Sequence, residues 1–132
     1  MKKVLFVLLS ALSYGSYAQT TAAPDLVKAK AYADEVFANC TIFAGPSYIP
    51  DYAEIISRIS VITEPQAAQE SYSRLSTVML KNKCNPQMTR DESNFSPSHF
   101  NPLKYFLNYY PKVDTKYRVD NSNYVILVHP KP

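Results

Sequence analysis

Ser96, Ser98 and His99 fall within four residues of one another, with Asp91 and Glu92 a few positions upstream. These are the residue types that nucleophilic hydrolysis uses: a hydroxyl to attack, an imidazole to take its proton and a carboxylate to orient the base. Proximity in sequence is not enough, because the attacking serine must be held on a rigid turn beside oxyanion donors. The chain has no Gly-x-Ser-x-Gly elbow, and with Gly15 and Gly45 as its only glycines it has no phosphate-cradling loop. Asp51 with Glu54, and Asp91 with Glu92, are accounted for by helix capping and loop solvation before paired-carboxylate catalysis is needed. His129 stands between an apolar run and Pro130 and reads as a strand-end residue. A zinc site would require His99 and His129 to converge with the thiolates of Cys40 and Cys84, and no ligand spacing supports it. No metal or cofactor is expected. A small hydrolase using His99 with a loop serine or acid is the alternative to a non-catalytic reading.

Recognition has more support than chemistry. Tyr105, Tyr109, Lys112, Lys116, Tyr117, Arg118 and Tyr124 interleave aromatic rings with cations in the C-terminal part of the chain. Tyrosine offers a large contact area with a polar tip at low entropic cost, which suits it to binding surfaces. There are more tyrosines here than one short helix can bury, so they should divide between core and surface, with Phe106 in the core. Charge follows the same division. Residues 19–80 carry four basic and seven acidic residues, whereas 81–132 carry eight and four. The expected partner is an extracytoplasmic protein or an anionic envelope component such as an acidic glycan or lipid head group; nucleic acid is not expected.

The N-terminus explains why the partner is sought outside the cytoplasm. Lys2 and Lys3 precede the apolar run Val4 to Leu9, and Ser10, Ser13, Gly15 and Ser16 interrupt it long before the roughly 20 apolar residues a membrane span needs. Ser16-Tyr17-Ala18 places small residues where signal peptidase inspects them, so residues 1–18 read as a signal peptide cut between Ala18 and Gln19. No cysteine stands at the cut, which disfavours a lipid anchor, and the mature chain should contain no transmembrane segment. Export removes Lys2 and Lys3 from the 14 basic residues, leaving 12 against 11 acids and a formal charge of +1. In that compartment, periplasm or medium, Cys40 and Cys84 should pair. Asn39-Cys40-Thr41 and Asn94-Phe95-Ser96 match the glycosylation pattern, but the bacterial look of the signal peptide makes both matches coincidental.

These residues need a scaffold. Residues 19–24 read as a flexible lead, and 25–132 as one globular domain. Leu26, Ala29, Ala33, Val36, Phe37 and Cys40 recur at three and four, the period of one helical face. A second helix is expected from Asp51, with Tyr52, Ile55, Ile56, Ile59 and Ile62 on its face. A third is expected from Thr63 and Pro65 through Ala68, Tyr72, Leu75 and Met79, ending just before Cys84. The disulfide would then tie the ends of the first and third helices. Residues 85–101 form a long polar loop, pinned at Phe95 and Phe100, after which Asn101 and Pro102 open a short fourth helix through Tyr110. Lys116 to Val119, a turn at Asp120 to Asn123 and the β-branched run Tyr124 to Val128 read as a hairpin, to which Ile42 to Ala44 could add a strand.

The expected architecture is α+β: three amphipathic helices and a short fourth packed on a small C-terminal antiparallel hairpin or sheet. The expected function is a non-catalytic binding or assembly module of the bacterial cell envelope that uses the basic, tyrosine-rich C-terminal surface, with the hairpin's free edge available to a partner strand. A third possibility is a protease inhibitor that presents 85–101 as its bait loop.

Overall fold

The computed structural model describes residues 24–132; the expected signal peptide, its cut at Ala18 and Gln19, and nearly all of the 19–24 lead lie outside the described residues. The fold is α+β, with two helices and a four-stranded sheet. Helix α1 (Leu26–Val36) begins where Asp25 accepts a hydrogen bond from the Lys28 amide at 2.9 Å, and it buries Ala29, Ala33 and Val36 at the predicted spacing. It stops short of Cys40 because Phe37 leaves the helical region at φ −110°, ψ 35°. Residues Thr41–Ala44, expected as a possible strand, form a 3₁₀ turn instead.

Helix α2 (Ile49–Ser57) starts two residues ahead of Asp51. Pro50 fits its first turn, where a missing N–H costs nothing. The capping box expected between Asp51 and Glu54 is not made; Glu54 binds Arg58 in the last turn, with Arg58 Nε donating to Glu54 Oε2 at 2.7 Å. The helical face also ends early. Ile59 and Ile62 belong to strand β1 (Ile59–Thr63), a β-branched run drawn into antiparallel pairing with the C-terminal strand.

The third helix does not form. In its place are a 3₁₀ turn at Gln66–Gln69, the two-residue strand β2 (Ser73–Arg74) and a second turn at Leu75–Thr77. Thr77 bonds the local backbone, its Oγ1 donating to the Arg74 carbonyl at 2.8 Å, and so competes with a helix. Buried Gln69 fixes the alternative path, its Nε2 donating to the carbonyls of Glu64 and Ser122 at 2.8 and 3.1 Å. Of the expected face, Leu75 is fully buried while Ala68 and Met79 are exposed.

The fourth helix shrinks to one 3₁₀ turn, Pro102–Lys104. Asn101 caps it as expected, accepting from the Leu103 amide at 3.0 Å. Propagation fails because Tyr105 is extended and bridged to Leu80: the Lys81 amide donates to the Lys104 carbonyl at 2.7 Å and the Phe106 amide to the Met79 carbonyl at 2.9 Å. Phe106, expected in the core, is 59% exposed.

The C-terminal hairpin is present as β3 (Thr115–Arg118) and β4 (Tyr124–Val128), turning through Asn121 at φ 60°, a left-handed conformation that asparagine tolerates. Strand order is β1-β4-β3-β2, with β2 parallel to β3 and the other pairs antiparallel. The hairpin is thus interior to the sheet, and the free edges belong to β1 and β2. Two apolar clusters result. One joins α1 and α2 over Met88 and Leu103; the other joins the sheet to Leu75, Phe100, Tyr105 and Leu107, and Ile59 and Tyr109 pack against both.

Cys40 and Cys84 form a disulfide with Cα atoms 5.4 Å apart, beside a hydrogen bond from the Asn39 amide to the Cys84 carbonyl at 2.8 Å. It ties the exit of α1 to an irregular segment rather than to a third helix. Among the described residues no helix is long and apolar enough to cross a membrane. Closing a loop over a sequence separation of 44 residues removes about 4 kcal/mol of unfolded-chain freedom. Urea unfolding of the Cys40→Ser, Cys84→Ser double variant should show a loss of about that size; a free energy equal to that of the native chain would contradict it.

Candidate functional site

The long segment 85–101 is held by a polar network at its centre. Lys104 is 2% exposed and donates through Nζ to Asp91 Oδ1 at 2.6 Å, with Glu35 Oε2 of α1 at 3.6 Å. Asp91 Oδ2 accepts from the Asn101 amide at 2.8 Å. Asn101, 1% exposed, donates through Nδ2 to the Tyr32 carbonyl and to Glu35 Oε1 at 3.1 and 3.0 Å. A second limb runs through Tyr105, whose hydroxyl donates to Glu92 Oε1 at 2.7 Å and accepts from the Asp91 amide at 2.7 Å. Arg90 completes it, donating to Glu92 Oε2 at 2.5 Å and to the Leu75 and Val78 carbonyls at 2.8 and 2.7 Å, with its guanidinium over the Tyr105 ring. Burial and the bond to Glu92 push the Tyr105 hydroxyl well above the usual tyrosine range. Burial also acts to raise Glu92, but hydrogen bonds from Tyr105 and Arg90 outweigh it and hold the carboxyl below its ordinary value.

Ser96, Ser98 and His99 do converge. On the exposed 3₁₀ turn Pro97–His99, His99 Nδ1 lies 3.2 Å from Ser96 Oγ and 3.3 Å from Ser98 Oγ, and the two hydroxyls are 3.2 Å apart. The carboxylates that would orient such a base are committed to the network, and among the described residues no carboxylate hydrogen-bonds His99. His129 bonds Asp114 instead, Nδ1 to Oδ1 at 2.9 Å, on the surface. No group of three or more potential metal ligands occurs among the described residues.

The candidate binding set Tyr105, Tyr109, Lys112, Lys116, Tyr117, Arg118 and Tyr124 is divided by the fold. Tyr105 and Tyr117 are core residues at 0% and 8% exposure, because both extend across the sheet cluster, so neither can form a docking surface. Tyr109 is partly buried, its hydroxyl spent on the Pro102 and Tyr105 carbonyls at 2.9 and 2.5 Å. Lys116 pairs with Glu64 and Tyr72, and these contacts raise its pKa while the same lysine and tyrosine lower that of Glu64. Tyr124 packs on Phe95 with ring centroids 5.2 Å apart. Lys112 is exposed, and Arg118 is half-buried opposite Arg74 of β2 in the parallel register.

The sequence reading missed the free edge of β1. The Glu64 amide donates to the Asn123 carbonyl at 2.8 Å and the His129 amide to the Arg58 carbonyl at 2.9 Å, which fixes the alternation of this antiparallel pair. Ser60 and Ile62 therefore bond β4, while the N–H and C=O groups of Ile59, Val61 and Thr63 point away from it. That edge opens on a groove of about 390 Å³, bounded by Lys28 and Tyr32 of α1, by Ile59 and Val61, and by Ser98 and Phe100 of the long loop. Ile59–Thr63 carries no proline and no charge, the devices that ordinarily blunt an edge. The clue was present in the β-branched run, read as the end of a helix.

Because its folded pKa is depressed, Glu92 contributes stability above the ordinary glutamate range of about 4.3, and that contribution is lost as pH falls through the lower folded value. Glu92→Gln should be clearly less stable than the native chain at about pH 7, with the gap closing in urea titrations as pH falls below the ordinary glutamate range. A gap of constant size across that window would contradict the assignment.

No family model matches the chain, and neither a curated protein nor a solved structure matches it.

Proposed function

We propose that this chain is an exported, non-catalytic binding module of the cell envelope that accepts an extended segment of a partner protein along β1. The observation that carries the reading is the unblunted β1 edge, whose outward amides and carbonyls at Ile59, Val61 and Thr63 border the groove between α1 and the long loop. An added strand would gain its affinity from main-chain hydrogen bonds and its specificity from alternate side chains entering the groove. The opposite edge is less suited to pairing, since β2 is two residues long and ends in Arg74. The Cys40–Cys84 disulfide fits an oxidising compartment. A non-catalytic role is favoured by the commitment of Asp91 and Glu92 to Lys104, Arg90 and Tyr105.

Val61→Pro tests this reading, because it removes an outward N–H that β4 does not use and leaves the ladder intact. A photo-crosslinking side chain at Thr63, exposed on the same edge, should capture a discrete envelope protein in the native host. Val61→Pro should reduce that product about ten-fold or more, the factor that 1.4 kcal/mol represents, with the β4 amide spectrum unchanged. No product above background, or one that Val61→Pro leaves undiminished, would contradict a strand-accepting edge.

A further inference from the structure

Arg74 and Arg118 are register partners in the parallel β2–β3 pair, so their side chains leave the same face of the sheet one strand spacing apart. Like charges placed opposite one another destabilise a sheet unless something of opposite charge joins them. Among the described residues neither arginine makes a salt bridge. Arg118 Nε is in addition a buried donor without a hydrogen-bond partner among them, a costly arrangement for a charged group. Both line a polar cavity of about 130 Å³ with Gln66, Gln69, Asp120 and Asn121.

The cavity wall has definite requirements. Two guanidiniums supply forked N–H donors of the kind that grip oxyanions. The Gln69 amide nitrogen is already used by the Glu64 and Ser122 carbonyls. Asp120 brings a carboxylate, which accepts from Ser76 and, when ionised, can only accept. An anion that suits all of these must offer several oxygens to the arginines and a hydroxyl to Asp120. Inorganic phosphate retains a proton near neutral pH and does both; a phosphate monoester keeps one only as its monoanion, below its second pKa of about 6, and sulfate has none to give.

We infer that this cavity binds a phosphate group, either the free ion or the terminal phosphate of a monoester. Arg74 and Arg118 bind its oxygens, and Asp120 selects for the protonated species. The site lies at the sheet edge opposite β1, so its failure would leave the strand-accepting reading untouched, and the reverse.

The test is titration of the exported full chain at fixed ionic strength and about pH 6, where a monoester is still substantially the protonated monoanion, with inorganic phosphate, sulfate and glycerol 3-phosphate, following the Arg118 Nε–H resonance. Inorganic phosphate should give a saturable shift at roughly ten-fold lower concentration than sulfate, the scale of one unmatched hydrogen bond. Saturation by glycerol 3-phosphate as well would assign a monoester; saturation by the free ion alone would assign inorganic phosphate. Arg118→Lys should lose about ten-fold or more in affinity, and Arg74→Met, at an exposed position, gives the same comparison if Arg118→Lys does not fold. The inference is overturned if neither phosphate saturates, if sulfate binds equally well, or if the folded variant binds as the native chain does.

Discussion

The ion pair between Lys104 and Asp91 is the constraint on which the rest of this structure depends. A lysine at 2% exposure is tolerable only when its charge is met at close range, because leaving an ammonium unpaired out of water costs several kcal/mol. Meeting it brings Asp91 inward, and with Asp91 comes the segment from Arg90 to Asn101. Asn101 then reaches Tyr32 and Glu35 on α1, Arg90 ties the same segment to the turn after β2, and Glu92 accepts from the Tyr105 hydroxyl. The interior of this half of the molecule is therefore assembled from hydrogen bonds as much as from apolar contacts. The disulfide closes the same region from its other side, joining the exit of α1 to the chain leading into the loop.

This explains which parts of the fold were legible in the sequence. Helix α1 and the β3–β4 hairpin were, because apolar period and turn chemistry agreed with the tertiary outcome at Ala29, Ala33, Val36 and Asn121. The disulfide followed from cysteine parity and compartment. The third and fourth helices were misread because apolar spacing of three and four recurs by chance in short segments, and local bonding by Thr77, Gln69 and the Leu80–Tyr105 bridge supplied another way to satisfy the backbone. Strand β1 was read as helix because its β-branched residues continue the helical period, and only β4 distinguishes the two outcomes.

The candidate site was legible in its residue types but not in its grouping. Ser96, Ser98 and His99 do meet, yet the acids beside them in sequence serve structural partners instead. The basic, tyrosine-rich C-terminal stretch alternates between strand faces, so Tyr117 enters the core while its neighbours Lys116 and Arg118 remain outside it. What emerges is a sheet with two different edges: β1, apolar and unblunted, and β2, short and cationic. Neither property belongs to a sequence motif, because each is created by strand order.

Native-state hydrogen exchange is the direct test of the central role given to the network. The Asp91 amide donates to the Tyr105 hydroxyl and the Asn101 amide to Asp91 Oδ2, both in a segment that would otherwise be an open polar loop. If Lys104 and Asp91 organise this half of the molecule, these two amides should exchange as slowly as that of Ile126 in the buried strand β4, since all would open only with global unfolding. Exchange of Asp91 and Asn101 at the rate of the exposed Ser98 amide, with Ile126 still protected, would show the segment opening on its own and would contradict this account.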